Sequence, residues 1–299
     1  MGLTTLAAGA LALNPLTGAA ETGVLPEPVE PVWVPLTKDV KTTRIGFGTG
    51  MRGGQRRTDL TRLGYPKAIE MLRFAYDQGI RLFDCADLYG THDVVAEALR
   101  DKPRDSYVIV SKIWLHGGGL PEMERPDPGI TVRRFLRECR TDYIDVVMLH
   151  CILNNHWTEE FSSQMESLET LKREGLIRAH GISSHSNAGT ERFAEVEWGD
   201  VIMVRINSEG VAMDGRGPNA VAEAVRTTKL VHDAGKGIIA MKVLGQGEGG
   251  MPADPEMRRR STAFVTQLDC VNNMIVGFTD MAHIPEFIAN VKAAERPAG

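Results

Sequence analysis

The chain has 299 residues, 42% hydrophobic and 24% charged, with a formal net charge of −5. These values suit a globular protein that buries a large core without cross-links, and the mixed, near-balanced charge offers neither a nucleic-acid surface nor a polybasic membrane face. Cys85, Cys139, Cys151 and Cys270 follow no CxxC or metal-pair spacing and read as reduced thiols.

Residues 3–13 are small and apolar, and Thr17-Gly18-Ala19-Ala20 resembles a small-residue cleavage region. The start therefore reads as the rear of an export signal, which would direct the protein to a bacterial periplasm. The first basic residue is Lys38, so the charged front of such a signal is not seen. The other reading is a flexible tail on a cytoplasmic protein. The segment is too short to span a bilayer, and no integral membrane segment is expected. Four prolines, Pro26, Pro28, Pro31 and Pro35, make 24–35 an extended linker. The expected organisation is a signal-like segment and linker over 1–39 and one domain over 40–299.

From residue 40 the chain alternates short apolar runs with amphipathic helices. Strand 44–47 ends at Gly46-Phe47-Gly48-Thr49-Gly50; in the helix that follows, Ala68, Met71, Leu72 and Ala75 share a face and Gly79 caps the end. Strand 81–84 precedes helix 93–100, and strand 107–113 precedes helix 131–140. Strand 143–150 precedes a helix carrying Phe161, Met165, Leu168 and Leu171. Strand 176–183 pairs with helix 189–196, 200–205 with 220–234, and 237–241 with 255–268. Strand 273–277 pairs with a last helix ending near Ala294, where Pro285 marks a start or a kink. The run Arg258-Arg259-Arg260 follows a helix start at Asp254-Pro255 and reads as a solvated face.

Near-continuous apolar strands separated by helices imply a parallel sheet covered on both faces. Eight such units fit a single α/β domain, a closed (β/α)8 barrel. A doubly wound sheet fits the alternation too, but no GxGxxG leads from the first strand into a helix.

Barrel active sites form at the C-terminal ends of the strands. Asp84, Lys112 and His150 lie at such ends, and Tyr89 follows Asp84 in the loop Asp87-Leu88-Tyr89-Gly90. An unperturbed phenol has a pKa near 10 and needs a neighbouring cation to work as an acid at neutral pH. Lys112 supplies that charge, Asp84 holds Lys112, and His150 donates to the phenol or to a substrate oxygen. The set suits protonation of a carbonyl oxygen as hydride arrives. No side chain donates hydride, so a nicotinamide cofactor is required.

These segments resemble the aldo/keto reductase family. Phe83-Asp84-Cys85-Ala86-Asp87-Leu88-Tyr89-Gly90 is similar to its signature around the catalytic Asp and Tyr. Val108-Ile109-Val110-Ser111-Lys112 resembles the strand of its Lys, and Tyr143 through His150 the strand ending in its His. The resemblance runs from about residue 40 to 295, and it implies that Tyr89 is the general acid/base, supported by Lys112, Asp84 and His150.

For the cofactor, the resemblance implies contacts from Thr49, Gly50 and Met51 in the first loop. Gly181-Ile182-Ser183-Ser184 is similar to the family segment that binds the nicotinamide carboxamide, with Ser184 replacing the usual Asn. Met203 stands where relatives place a Gln under the ring, and Ile206 where they often have an aromatic. Met241-Lys242-Val243-Leu244-Gly245-Gln246-Gly247 resembles the pyrophosphate loop, which adds Lys242, Leu244, Gly245 and Gly247; its glycines admit close phosphate approach. At the adenine end stand Gly277, Thr279, His283 and Glu286, with Phe287 replacing the family Asn. The family favours NADP(H). No Lys or Arg lies between Val271 and Asn290, which leaves NAD(H) open.

Trp114 and Trp157 are candidate substrate-pocket walls, and Gly117-Gly118-Gly119 suggests a mobile loop beside them. The chain ends soon after the last helix, which implies an open pocket for a bulky or sugar-like carbonyl compound. Three other readings stay in view: a family-like module that binds nucleotide with little turnover, metal-assisted hydrolysis through Asp84, His150, His180 and His185, and Schiff-base chemistry at Lys112. Asp84 argues against the last by keeping the lysine protonated. No metal site is expected.

Overall fold

The protein is described by a computed structural model over residues 27–245 and 254–295. The signal-like segment and Gly247 lie outside these residues. A hairpin comes first, β1 (Trp33–Pro35) paired antiparallel with β2 (Lys41–Thr43). Eight parallel strands then close a barrel: β3 (Ile45–Gly48), β4 (Leu82–Asp84), β5 (Val108–Trp114), β6 (Ile144–Ile152), β7 (Ile177–Ser184), β8 (Val201–Arg205), β9 (Gly237–Met241) and β10 (Asn273–Val276), with β10 hydrogen-bonded to both β3 and β9. The open doubly wound sheet is thereby excluded.

Between the strands run α1 (Asp59–Arg62), α2 (Tyr65–Asp77), α3 (His92–Ala98), α4 (Pro128–Cys139), α5 (Trp157–Glu160), α6 (Ser162–Arg173), α7 (Asn187–Glu195), α8 (Gly217–Asp233), α9 (Pro255–Thr266) and α10 (His283–Ala294). The strand and helix order matches the expected units. α4 begins earlier than its apolar face suggested. Asp127 caps it by accepting from Gly129 N at 2.7 Å, and Pro128 sits in the first turn. The helix expected around Phe161 is split there into α5 and α6.

Side-chain alternation divides each strand between two cores. Leu82, Val110, Val146, Met148, Met203 and Ile239 fill the barrel interior. Phe83, Ile109, Val147, Ile182, Ile202 and Ile238 face outward under the helices. β7 and β8 approach so closely that a Cβ on Gly181 would fall 1.7 Å from the Val201 carbonyl oxygen, so only glycine fits there.

The hairpin closes the barrel floor. Its turn buries Leu36 and Val40 in the interior cluster, at 3% and 2% exposure, and both Leu36 N and Thr37 N donate to Val40 O. The expected domain boundary at residue 40 falls inside this hairpin. The proline-rich stretch contributes a strand and a plug, because Pro35 needs no ladder N–H at the strand edge. Leu36→Ala is expected to cost about 2–4 kcal/mol of stability through the cavity it leaves. Urea unfolding checks this, and an unchanged midpoint would refute the plug's role.

Candidate active site

Alternation also fixes the strand-end polar groups. Leu82, Val110 and Met148 point inward, so Asp84, Lys112 and His150, each two residues on, point inward one layer higher at the C-terminal mouth. Lys112 Nζ donates to Asp84 Oδ1 at 2.5 Å and to Cys85 O at 2.8 Å. Both charged side chains are buried. Burial raises the Asp84 carboxyl pKa above the usual carboxylate range, with the Lys112 ammonium opposing the shift.

Tyr89 enters from the loop after β4, where its N–H donates to Ala86 O and Asp87 N donates to Lys112 O. Lys112 Nζ lies 4.8 Å from the Tyr89 ring centroid, and the His150 ring meets the phenol edge-on with centroids 5.6 Å apart. Gly50 lies directly against the ring, and a Cβ there would come within 2.2 Å of Tyr89 carbon atoms. The four expected residues therefore converge at one mouth.

Their electrostatics differ from the expectation in one respect. The Tyr89 phenol is pushed well above its ordinary pKa, first by burial and then by the Asp84 carboxylate. Lys112 gives two of its three donors to Asp84 and Cys85, and burial outweighs its charge at the phenol. Tyr89 is thus a protonated donor at neutral pH. Burial, followed by Lys112, holds the His150 imidazole well below its ordinary value, so it is neutral. Behind β5, His92 joins Ser111 Oγ at 2.7 Å to Glu138 Oε2 at 2.8 Å and braces the strand that carries Lys112.

A cleft opens beside Tyr89 and Asp84, lined by Gly48, Gly50, Met51, Met203, Met241, Lys242, Leu244 and Gly277 among others. Of the expected cofactor residues, Gly50, Met51, Met203, Lys242, Leu244 and Gly277 lie on its wall. Ser183 is fully buried at the end of β7, and its hydroxyl has no partner among the described residues. Thr49 is not on the wall: its hydroxyl donates to Asp84 O at 2.7 Å and meets Thr91, tying β3 to β4. Ser184 likewise turns away, donating to Ser186 O at 2.8 Å and accepting from Thr190. Gly245 packs against Val211 and Asn207, and Thr279 is half-buried outside the cleft.

His283 and Glu286 line a small adjoining pocket with Leu244, Arg258, Phe287 and Asn290. Arg258 corrects the reading of the triple-arginine run. It is 8% exposed, and its Nε donates to Glu286 Oε1 at 2.7 Å. Sequence reasoning missed this residue, although Arg258, Thr262 and Val265 share the buried face of α9.

Trp114 is half-buried at the mouth, its ring edge-on to His150 at 5.3 Å. Trp157 is a correction: it is fully buried and packs against Phe193 and Trp198, away from the mouth, as a helix-layer core residue. The triple-glycine loop is tied rather than free. Trp114 Nε1 and Arg125 Nη2 both donate to Gly118 O, and Arg125 Nε donates to His116 O. His180 stacks on Trp198 outside the barrel, apart from His150. Among the described residues no group of His, Cys, Asp or Glu is arranged to hold a metal ion.

A closed parallel barrel with these four groups at its C-terminal mouth is the architecture of an aldo/keto reductase. The model of the aldo/keto reductase family matches residues 44–249, and the chain belongs to that family. It is 29% identical over 167 residues to the aldo-keto reductase YhdN of Bacillus subtilis, covering 52% of this chain and 48% of that one. It is 26% identical over 188 residues to the glycerol 2-dehydrogenase (NADP(+)) of Hypocrea jecorina, covering 54% and 55%. The chain thus spans about half the length of the curated relatives it matches. A crystal structure described as an aldo-keto reductase from Pseudomonas aeruginosa superposes with a TM-score of 0.70 at 26% identity, covering 90% of this chain and 98% of that one.

Proposed function

We propose that the chain is an NAD(P)(H)-dependent oxidoreductase that interconverts an aldehyde or ketone with its alcohol, with Tyr89 as general acid/base. The observation that carries the reading is the convergence of Tyr89 and His150 over the buried Lys112–Asp84 pair beside an open cleft. The residues present fit a dinucleotide. The orphaned Ser183 hydroxyl suits a carboxamide, and Gly48, Gly50 and Gly277 present backbone without side chains on one part of the wall. When bound, the nicotinamide supplies or accepts the hydride.

The protein's own part is proton transfer and positioning. A carbonyl oxygen placed between Tyr89 and His150 receives the Tyr89 proton as negative charge develops on it. Neutral His150 orients that oxygen. Lys112, held by Asp84, places a positive charge beneath the ring, which stabilises the phenolate left behind. Asp84 and Cys85 position the ammonium. The intact set does not favour a module that binds nucleotide with little turnover, and the Lys112–Asp84 contact does not favour Schiff-base chemistry.

NADP(H) is the favoured cofactor. The family resemblance favours it, and the matched glycerol dehydrogenase is named for NADP(+). Titration with NADPH and with NADH, followed by tryptophan quenching, is expected to show saturable binding of both, tighter for NADPH. Binding of neither, in reduced or oxidised form, overturns the oxidoreductase reading. The partner is a small carbonyl or alcohol compound. Among the described residues no helix is long and apolar enough to cross a membrane.

A further inference from the structure

The mouth carries two cations, Arg205 and Lys242, that proton transfer does not use. Strand register places the ends of β7, β8 and β9 side by side, with Ser184 opposite Val204 and Arg205 opposite Met241. His185, Arg205 and Lys242 therefore follow one another around the rim, and Cys151 closes the arc at β6, its Sγ 3.5 Å from His185 Nδ1. Met203 faces the barrel interior, so alternation sets Arg205 on the same side one layer higher, and its side chain reaches His185 O and a small pocket beside the cleft.

Little on the protein offsets these charges. Among the described residues neither Arg205 nor Lys242 has an ion-pair partner; the only hydrogen bond from the Arg205 side chain goes to His185 O. Asp84 is engaged by Lys112, and Asp214, which lines a small pocket with Arg205 without forming an ion pair, accepts from Asn187 N at 2.8 Å. Burial and then Arg205 lower the Lys242 pKa, and His185 is pushed down to about 3, chiefly by burial and then by Arg205. The Cys151 thiol, raised by burial, stays neutral. Lys242 and Cys151 both hold left-handed backbone conformations, with φ of 59° and 68°, that non-glycine residues adopt at a cost. A half-buried guanidinium beside a second cation, with Asp214 near but making no ion pair with it, is unfavourable unless an anion completes it.

Resting on the carbonyl-reductase reading, we propose that the substrate is a carbonyl compound bearing a carboxylate, whose carbonyl is held at Tyr89 and His150 and whose carboxylate is taken by Arg205 with Lys242 beside it. Arg205 is then the residue that sets substrate charge.

The test compares succinic semialdehyde with butanal, which has the same chain length and no carboxylate, at saturating NADPH. The wild-type kcat/KM is expected to favour the acid by roughly tenfold, the yield of one charge-assisted contact. Arg205→Met should erase that ratio through KM, and Arg205→Lys should restore much of it. Equal constants for the two aldehydes in the wild type, or a ratio that survives Arg205→Met, overturns the proposal. So does an unchanged ratio with weakened NADPH binding, which would give Arg205 to a cofactor phosphate. If neither aldehyde is reduced, the oxidoreductase reading fails instead, and the anion subsite is judged by alkylation of Cys151 with iodoacetamide. Protection by succinate in the wild type and not in Arg205→Met supports the subsite, and no protection in the wild type overturns it.

Discussion

Replacing Tyr89 by Phe is expected to lower turnover on the order of a thousandfold while leaving cofactor affinity nearly unchanged. The substitution removes the donated proton and nothing else of consequence. The ring keeps its edge contact with His150 and its fit beneath Gly50, where no side chain is tolerated. Single-turnover kinetics with a cofactor titration separate the two effects, and a variant with weakened binding but normal chemistry would remove Tyr89 from its role. The pH profile tests the same assignment. Because the phenol is held above its ordinary value, it stays protonated through neutrality. Carbonyl reduction should therefore be flat from about pH 6 to 9, while alcohol oxidation, which needs the phenolate, should rise with pH. His150 is held below its ordinary value and stays neutral over this range. An inflection in reduction near pH 6.5 would contradict that.

The second large effect falls on Lys112. Lys112→Met leaves the Asp84 carboxylate buried without its counter-charge and Cys85 O without its donor. Breaking a buried pair from one side costs about 3–5 kcal/mol. The variant should unfold at markedly lower denaturant concentration and lose turnover. Adding Asp84→Leu removes the stranded charge, so the double variant should regain much of the stability and none of the activity. A single variant as stable as the wild type would mean the pair is not closed to water as the structure has it.

The barrel and its four mouth residues were legible because both follow from local rules. Strand period fixes which residues face inward, and ends of strands in a barrel are where chemistry gathers. Asp84, Lys112 and His150 each needed only the position of a strand end. Side chains whose direction depends on non-local packing were not legible. Trp157 lies just after the His150 strand, yet it opens α5 and packs against Phe193 of α7 and Trp198. Thr49 and Ser184 sit in the right segments with hydroxyls committed elsewhere. Arg258 is far in sequence from the helix it serves. Arg205 carried no motif, and only the register of β7, β8 and β9 sets it beside His185 and Lys242.

The hairpin that plugs the barrel has a consequence for handling the protein. Leu36 and Val40 close the end opposite the mouth, so the described chain enters the fold from the far pole. A bead, surface or carrier joined ahead of the hairpin would hold the molecule by its base, with the cleft turned toward solution. An immobilised form attached at that end should keep the turnover of the free protein, whereas attachment through the loops around Trp114 would block entry.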